Sequence, residues 1–351
     1  MNVKESQTDL KGLSRSELEA FVKSLGWERY RADQIFAWIY RWGVDDFNKM
    51  TSLAKVKRQK LRETARISAL GLRRQVTSTV DGTTKYLFQL EDGQSIESVL
   101  IREGNRRTVC VSTQAGCGLG CVYCATGDVG LRRSLQAAEI VDQVLSVRRL
   151  LPQDKTITNV VLMGMGEPLL NYEQTVKACR LLNDPDGLAV GARKITVSTA
   201  GVVPGIRKLA REGLRLGLAI SLSATTDEDR DKLIPLNRKY PLAQLMTAAQ
   251  EYVQATDRPV TFEYVLIGGV NSTSEDALRL AKMVRGIRCK INLIPYNSIP
   301  GKPYHRPSKE EVANFMGLLY PRCPTVTLRE SKGVDIQAAC GQLRGEENFT
   351  R

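Results

Sequence analysis

Two features that mark common protein classes are missing from this 351-residue sequence. No uninterrupted apolar run approaches the roughly 18–20 residues that a membrane-spanning helix needs. The opening residues, MNVKESQTDL, contain no apolar stretch of the kind found in a secretory leader. We therefore expect a soluble, cytoplasmic protein with no membrane partner.

Histidine and cysteine are also scarce, with one histidine and eight cysteines in the whole chain. Disulfide frameworks belong to oxidising compartments, and the irregular spacing of these cysteines does not suggest one. Acidic residues are outnumbered, because 51 lysines and arginines face 38 aspartates and glutamates and leave a net charge of +13. That charge predicts RNA or DNA as a partner, although a basic protein without such a ligand is the alternative that charge alone leaves open.

The first 70 residues show helical patterns. Ser14 and Glu17 have capping-box spacing, and apolar residues follow at helical positions up to Gly26. A second amphipathic stretch runs over residues 35–42. A basic helix face suited to phosphates then contains Lys55, Lys57, Arg58, Lys60, Arg62 and Arg66. We predict a small helical accessory domain over residues 1–70.

Strand patterns begin after residue 70. Turn signals at Asp81-Gly82 and Asp92-Gly93 separate QVTSTV, TTKYLFQL and SIESVLIRE, which predicts a short antiparallel β linker over residues 71–107. Strands and helices alternate from Val109, giving six β/α repeats over residues 108–351. This alternation predicts an α/β fold whose parallel sheet curves into a partial (β/α)6 barrel. Ligands are expected at the carboxyl ends of its strands.

Three cysteines, Cys117, Cys121 and Cys124, form a C-x3-C-x2-C pattern on a glycine-rich loop. A structural zinc would need a fourth ligand, for which Cys110 is the nearest candidate because His305 is distant. Simple burial does not explain three thiols separated by glycines. Iron-sulfur clusters usually take four cysteines, so three would leave one iron open for chemistry.

This pattern, with Tyr123 directly before the last cysteine, resembles the radical S-adenosylmethionine (SAM) enzymes. The resemblance implies a 4Fe-4S cluster whose free iron binds the amino and carboxylate groups of SAM. It also implies one-electron cleavage of SAM to a 5'-deoxyadenosyl radical, and a partial barrel.

The sequence is similar, over almost its whole length, to the bacterial adenine carbon-2 RNA methyltransferases. That family acts on an adenosine in the peptidyl-transferase centre of 23S rRNA and on certain tRNAs. The resemblance implies these RNAs as partners, an electron donor such as flavodoxin, and a monomer. It rests on the segments RADQIFAWIYRW, VCVSTQAGCGLGCVYCATG, NVVLMGMGEPLLNY, ITVSTAGVVPGI, LAISLSA, KLIPLNRKYPL, CKINLIPYN and VDIQAACGQL.

The same resemblance implies roles for two further cysteines and a glutamate. Cys340 is expected to be methylated by one SAM and activated by the radical from a second, which makes two SAM per turnover. The resulting carbon radical adds to adenine, and Cys110 then attacks the Cys340 sulfur to release the RNA as a disulfide forms. Glu97 matches the family's proposed proton acceptor, although on its strand it could simply face solvent. Cys179 and the two remaining cysteines match no such position and are predicted to be structural.

The resemblance also implies contacts with SAM. Gly166 and Glu167 of GMGEP match the segment that receives the SAM amino group. Further matching positions, expected to contact the nucleoside and carboxylate, are Ser198, Ser221, Leu222, Ser223 and Asn297. Ser223 is a departure, because many relatives have histidine there.

Two other functions compete with this prediction. A related subgroup methylates carbon 8 of the same adenine with the same cysteines, but its members tend to alter GMGEPL and the NLIPYN region and to shorten the N-terminal domain. This sequence has all three features in the carbon-2 form. A non-catalytic ribosome-binding protein with a zinc-stabilised loop is the alternative from another class.

Overall fold

The computed structural model of the protein describes residues 7–323 and 325–345. Residues 1–6 and 346–351, the outer ends of the predicted accessory and barrel domains, lie outside that part. Within it, no helix is both long and apolar enough to cross a membrane.

The N-terminal region is helical, as its patterns predict. Helix α1 (Arg15–Ser24) begins with the predicted capping box, in which Ser14 and Glu17 bond each other's backbone amides. Helix α2 (Tyr30–Phe36) continues into a π-helical turn over residues 37–41, and α3 spans Lys55–Thr64. Arg66 was predicted on the basic helix face, but this is wrong. It lies in β2 (Ala65–Arg66), because that strand leaves the helix to pair in parallel with β1 (Thr8–Asp9).

Three antiparallel strands follow: β3 (Gly71–Thr77), β4 (Thr84–Gln89) and β5 (Ser95–Glu103). Strand β3 ends earlier than predicted, because the Ser78 hydroxyl accepts hydrogen bonds from the amides of Val80 and Asp81 and starts the turn there. Strand β5 pairs antiparallel with β6 (Arg106–Cys110). The three strands therefore extend the barrel sheet, and the linker boundaries at residues 70 and 107 stay a prediction.

The chain next forms a small hairpin around the cysteine loop. Strand β7 (Gln114–Gly116) pairs antiparallel with β8 (Leu131–Ser134), and the short helix α4 (Ala125–Val129) lies between them. The three clustered cysteines occupy the segment from β7 to α4. The hairpin closes both ends of this segment, so the loop is held as one unit.

The predicted partial barrel is confirmed. Its ten-stranded sheet has the order β14-β13-β12-β11-β10-β9-β6-β5-β4-β3, and the strands from β6 to β14 in that order are parallel. The parallel strands after β8 are β9 (Asn159–Leu162), β10 (Ile195–Thr199), β11 (Gly217–Ser221), β12 (Val260–Leu266), β13 (Cys289–Pro295) and β14 (Val326–Leu328). Strand β14 was not predicted.

Helices cover the outer face of this sheet. They are α5 (Ala137–Arg149), α6 (Tyr172–Asn183), α7 (Val203–Ala210), α8 (Asp227–Leu233), α9 (Leu242–Thr256), α10 (Ser274–Met283) and α11 (Lys309–Leu319). Helices α8 and α11 were not predicted. The accessory region is fixed to α5 by a fully buried ion pair in which Lys11 Nζ lies 2.7 Å from Asp142 Oδ1.

Candidate active site

The three clustered thiols lie close enough to influence one another electrostatically. Burial raises the pKa of Cys117 to about 11, and the negative charge of Cys124 and Glu167 adds to this effect. The pKa of Cys121 is raised further, first by burial and then by its two partner cysteines. Cys117 and Cys121 therefore lack the lowered pKa of a free nucleophilic thiol.

This donor set fits an iron-sulfur cluster better than a single metal ion. Among the described residues, no three histidine, cysteine, aspartate or glutamate side chains converge on one ion position. A structural zinc requires four such donors around one point. A 4Fe-4S cluster binds each thiolate to a different iron, so its cysteines need only surround a common space. Cys117, Cys121 and Cys124 all line one cavity of about 150 Å³.

Most residues predicted to contact SAM line this same cavity. Gly166 and Glu167 approach it from the loop after β9, Ser198 from β10, Ser221 from β11 and Asn297 from the loop after β13. These are the carboxyl ends of parallel strands, where the fold was expected to place a ligand. We name this space the cluster-side cavity.

Leu222 and Ser223 are buried but do not line the cluster-side cavity. The Ser223 hydroxyl lies 3.4 Å from the hydroxyl of Tyr123, and its carbonyl accepts a hydrogen bond of 2.7 Å from Asn271 Nδ2. Ser223 adopts the left-handed conformation, with φ of +52°. Its contacts therefore support the wall that carries the tyrosine of the cysteine loop, and its role toward SAM stays a prediction.

Glu167 is a buried carboxyl group held in a fixed orientation. Its side chain accepts hydrogen bonds from the amides of Ala200 (2.8 Å) and Leu169 (3.1 Å). Burial nevertheless raises its pKa to about 7, with those amides opposing the shift. A cationic amine placed against it would restore the carboxylate, so the group is suited to an ammonium ligand.

Gly166 places Glu167 through a conformation that other residues resist. Its φ is +98°, and a Cβ built there would lie 2.5 Å from Gln114 Cβ and 2.8 Å from Gln114 N. The same glutamine accepts a hydrogen bond of 2.9 Å from the Glu167 amide. The absent side chain thus allows the GMGEP loop to lie directly against β7 and the cysteine loop.

Arg230, which sequence reasoning missed, ties the strand ends of this cavity together. Its buried guanidinium donates to the carbonyl oxygens of Ala200 (2.6 Å), Ser221 (3.0 Å) and Leu222 (3.1 Å). It therefore joins the ends of β10 and β11 beneath two predicted SAM contacts. An arginine in a short acidic helix, DEDRDKL, gave no sign of such burial.

A second, larger cavity of about 800 Å³ occupies the barrel interior and contains Cys110. The two cavities share a short stretch of wall that includes Cys340, Cys124, Met163 and Glu263. Cys340 is exposed and lines both cavities. It therefore lies at the junction between the cluster-side cavity and what we name the barrel cavity.

Cys110 and Cys340 are brought together from distant parts of the chain. Burial raises the pKa of Cys110 to about 12, and the charge of Cys340 is the next largest cause of that shift. Arg329, which follows β14, lowers both thiol pKa values, and its own pKa is raised chiefly by the Cys340 thiolate. Its guanidinium also lies 3.4 Å from the buried carboxylate of Glu263. Sequence reasoning missed Arg329 and Glu263, since neither belongs to a local motif.

The segment that carries Cys340 is docked on several elements. Asn297 Nδ2 donates to the Cys340 carbonyl (3.1 Å), and the Ala125 amide of α4 donates to the Gly341 carbonyl (2.6 Å). The Thr126 hydroxyl donates to the carbonyl of Leu343 (2.6 Å). The helix that follows the cysteine loop therefore holds the Cys340 segment directly.

Glu97 does not face solvent. It is buried on β5, where Lys85 Nζ lies 3.0 Å from its Oε1, and the amides of Arg344 and Gly345 donate to its Oε2. Glu97 lines neither cavity. Burial lowers the pKa of Lys85, and the Glu97 carboxylate opposes that shift. The proton-acceptor role of Glu97 stays a prediction.

The three other cysteines, Cys179, Cys289 and Cys323, are buried. None of them lines either cavity. Their structural role, predicted because they match no catalytic motif, remains a prediction that their burial supports.

Known proteins resemble this chain over nearly its whole length. A family model described as the N-terminal domain of ribosomal RNA large subunit methyltransferases matches residues 8–67, and the radical SAM superfamily model matches residues 111–281. A crystal structure of a radical SAM methyltransferase from Sphaerobacter thermophilus has a TM-score of 0.92 and 48% identity. It covers 97% of this chain and 100% of that chain.

Curated relatives include proteins named as RlmN. A dual-specificity RNA methyltransferase RlmN from Geobacter sulfurreducens is 48% identical over 342 residues, which cover 97% of this chain and 93% of that protein. A probable RlmN from Thermotoga neapolitana is 47% identical over 337 residues, covering 96% and 97%. These likenesses confirm the resemblance expected from the motifs. The chain belongs to the radical SAM family of dual-specificity RNA methyltransferases known as RlmN.

Proposed function

We propose that this protein methylates carbon 2 of an adenosine in the peptidyl-transferase centre of 23S rRNA and in certain tRNAs. One observation carries the proposal: Cys340 lies at the junction of two cavities. One cavity holds the clustered thiols and the predicted SAM residues, and the other holds Cys110. A methyl group bound to Cys340 could therefore be activated on one side and delivered on the other.

The cluster-side cavity would hold the cofactors. Cys117, Cys121 and Cys124 would bind a 4Fe-4S cluster, and Glu167 would receive the amino group of SAM. When bound, the cluster and SAM supply the one-electron cleavage that yields a 5'-deoxyadenosyl radical. The residues around them contribute a rigid, mostly buried wall that excludes water from a reactive species.

Cys340 and Cys110 would carry the covalent steps. An aromatic carbon of adenine is too weak a nucleophile to attack SAM directly, so the methyl group travels as a thioether on Cys340. After the methylene unit has joined the adenine, the Cys110 thiolate attacks the Cys340 sulfur and a disulfide forms. The bond between that sulfur and the methylene carbon breaks, the carbon keeps the electron pair and takes up a proton to become the methyl group, and the RNA leaves. Reductant reopens that disulfide for the next cycle. The charge of Cys340 contributes to the raised pKa of Cys110, and both thiols line the barrel cavity, which supports this pairing.

Glu97 remains a candidate proton acceptor for the rearomatisation of adenine. In the described position of the C-terminal segment, both of its oxygens are engaged by donors. Action as a base would require that segment to shift, since a carboxylate needs direct or water-mediated contact with the proton that it accepts.

The barrel cavity is suited to the RNA. Basic side chains line it, namely Arg106, Arg193, Arg258, Lys290, Arg329 and Lys332. The Nε atom of Arg258 is buried and has no hydrogen-bond partner among the described residues. We infer that phosphates next to the target adenosine approach these side chains, while the basic face of α3 contacts the RNA further away. The protein would act as a monomer and take electrons from a donor such as flavodoxin.

Carbon-2 specificity is supported by GMGEPL, the NLIPYN region and the full N-terminal domain. The test is incubation of the reconstituted protein with SAM, reductant and each RNA type, followed by mass spectrometry of the nucleosides. We expect 2-methyladenosine in both RNAs. Detection of 8-methyladenosine alone would refute carbon-2 specificity.

Two cysteine variants test the covalent scheme. Cys340→Ala should abolish turnover, and Cys110→Ala should accumulate a covalent protein–RNA adduct that survives denaturing electrophoresis. Cys179→Ala is a matched control on α6, and we expect normal turnover from it. Normal turnover by Cys110→Ala would remove the proposed release step.

Metal analysis separates this function from a zinc-stabilised ribosome-binding protein. Anaerobically purified protein should contain iron and sulfide and should release 5'-deoxyadenosine when reduced with SAM. A colourless preparation containing only zinc would favour the binding protein instead.

A further inference from the structure

A buried ion pair lies beneath the segment that carries Cys340. Lys85 on β4 and Glu97 on β5 point to the same face of the antiparallel sheet, because Leu87 pairs with Glu97 and Lys85 pairs with Val99. Lys85 is 2% exposed and Glu97 is 1% exposed. The two charges are 3.0 Å apart. Val99 on the same face lines the barrel cavity, so this face continues the wall of the active site.

Each member of the pair also binds backbone of the C-terminal segment. Lys85 Nζ donates to the Gln337 carbonyl at 3.1 Å, on the N-terminal side of Cys340. Glu97 Oε2 accepts from the amides of Arg344 (2.7 Å) and Gly345 (3.0 Å), on its C-terminal side. The pair thus binds the segment on both sides of Cys340, which lies on the loop between these two sets of hydrogen bonds.

Between those two sets of hydrogen bonds, the loop accepts hydrogen bonds from neutral donors of Asn297, Ala125 and Thr126. Charge-assisted hydrogen bonds are stronger and more directional than neutral ones. A buried ion pair adds little net stability over an apolar pair, so the main effect of its directed contacts is on geometry. Here the geometry that it specifies is the path of the loop past the two cavities.

We propose that Lys85 and Glu97 are positioning residues that clamp the Cys340 loop at the junction of the two cavities. The proposal rests on the proposed function, in which Cys340 carries the methyl group. It assigns Lys85 a role that a proton-acceptor function of Glu97 alone would not require. Glu97 would serve the reaction through the loop backbone, whatever it does with protons.

The test replaces the pair without leaving a buried charge unpaired. The double variant Lys85→Met/Glu97→Leu keeps the side-chain volume and should fold with a full complement of iron. Lys85→Arg keeps a cation beside Glu97 and should preserve part of the contact with the loop. Lys208→Met, which removes an exposed ion pair with Glu173, is the control.

Amide hydrogen exchange and steady-state kinetics are measured on the reconstituted proteins. In the double variant we expect amides 341–345 to exchange about tenfold faster. We also expect kcat for RNA methylation to fall by about tenfold or more while KM for RNA stays unchanged, since the RNA-binding residues are intact. Lys85→Arg should lie between the double variant and the native protein, and Lys208→Met should match the native protein in both measurements.

Three outcomes would overturn the clamp. The first is an amide exchange rate for residues 341–345 in the double variant equal to that of the native protein, and the second is a kcat in that variant equal to the native value. The third is a Lys85→Met variant with the native kcat and the native exchange rate, together with an inactive Glu97→Gln variant. The last result would assign Glu97 to proton transfer alone. The exchange measurement does not depend on methylation, so it tests the clamp even if Cys340→Ala were active and the proposed function failed.

Discussion

Replacement of Gly166 by alanine tests how the GMGEP loop positions Glu167. The new Cβ would lie 2.5 Å from Gln114 Cβ and 2.8 Å from Gln114 N, distances that require something to move. The φ of +98° adds strain of roughly 1–3 kcal/mol for a residue with a side chain. If Gln114 yields, the hydrogen bond from the Glu167 amide is lost as well, at about 0.5–1.5 kcal/mol. We expect the free energy of unfolding to fall by about 2–4 kcal/mol.

The assay is urea denaturation of the reconstituted protein under anaerobic conditions, with SAM affinity measured by equilibrium dialysis. Because Glu167 would no longer be held against the cysteine loop, we expect SAM to bind about tenfold more weakly. Gly191→Ala is the matched control, since a Cβ at Gly191 meets no atom within 4 Å. Equal stabilities and equal SAM affinities for the two variants would refute the reasoning.

Three further predictions follow from buried charges and thiols. Lys11→Met should cost about 3 kcal/mol in urea denaturation, because it removes the buried cation 2.7 Å from Asp142 and leaves that carboxylate only a 3.4 Å contact with Arg149. Lys177→Met, at a more exposed pair, should cost about 1 kcal/mol or less; equal losses would contradict this. With a pKa near 12, only about one Cys110 thiol in 10⁵ is ionised at pH 7. The rate of Cys110 alkylation, measured by mass spectrometry, should therefore rise about tenfold per pH unit up to pH 9. A plateau in that rate below pH 9 would be inconsistent with this pKa. Arg230→Met should lower the free energy of unfolding by roughly 2–4 kcal/mol and weaken SAM binding measured by dialysis. Unchanged SAM affinity would show that these hydrogen bonds are not required to position the strand ends for SAM.

Local patterns predicted most of the fold and drew attention to the cysteine loop. The six predicted parallel strands, the capping box of α1 and the C-x3-C-x2-C loop depend on residues close in sequence. Two missed helices also had local signals: α8 starts with a Thr226 cap, and α11 starts with a capping box of Ser308 and Glu311. These could have been found with the same rules that identified α1.

The parts that sequence reasoning missed depend on long-range contacts. Lys85 is 252 residues from Gln337, and Glu97 is 247 residues from Arg344. Alternation along β5 left it open whether Glu97 faces solvent, because the segment that covers this face lies at the far end of the chain. Arg329 was missed for the same reason, since its cationic character matters only where Cys340 folds back beside it.

The convergence of Cys110 and Cys340 requires both the curvature of the sheet and its antiparallel extension. Cys110 ends β6, the first parallel strand, whereas Cys340 follows β14 at the sheet's opposite edge, with β9 to β13 in between. In a flat sheet β6 and β14 would lie about 25–30 Å apart, at roughly 4.8 Å per strand. Curvature brings the edges toward each other, and β4 and β5 provide the surface on which the C-terminal segment docks. A parallel barrel alone would lack that surface, so the strands predicted as a linker help to position the segment that carries Cys340.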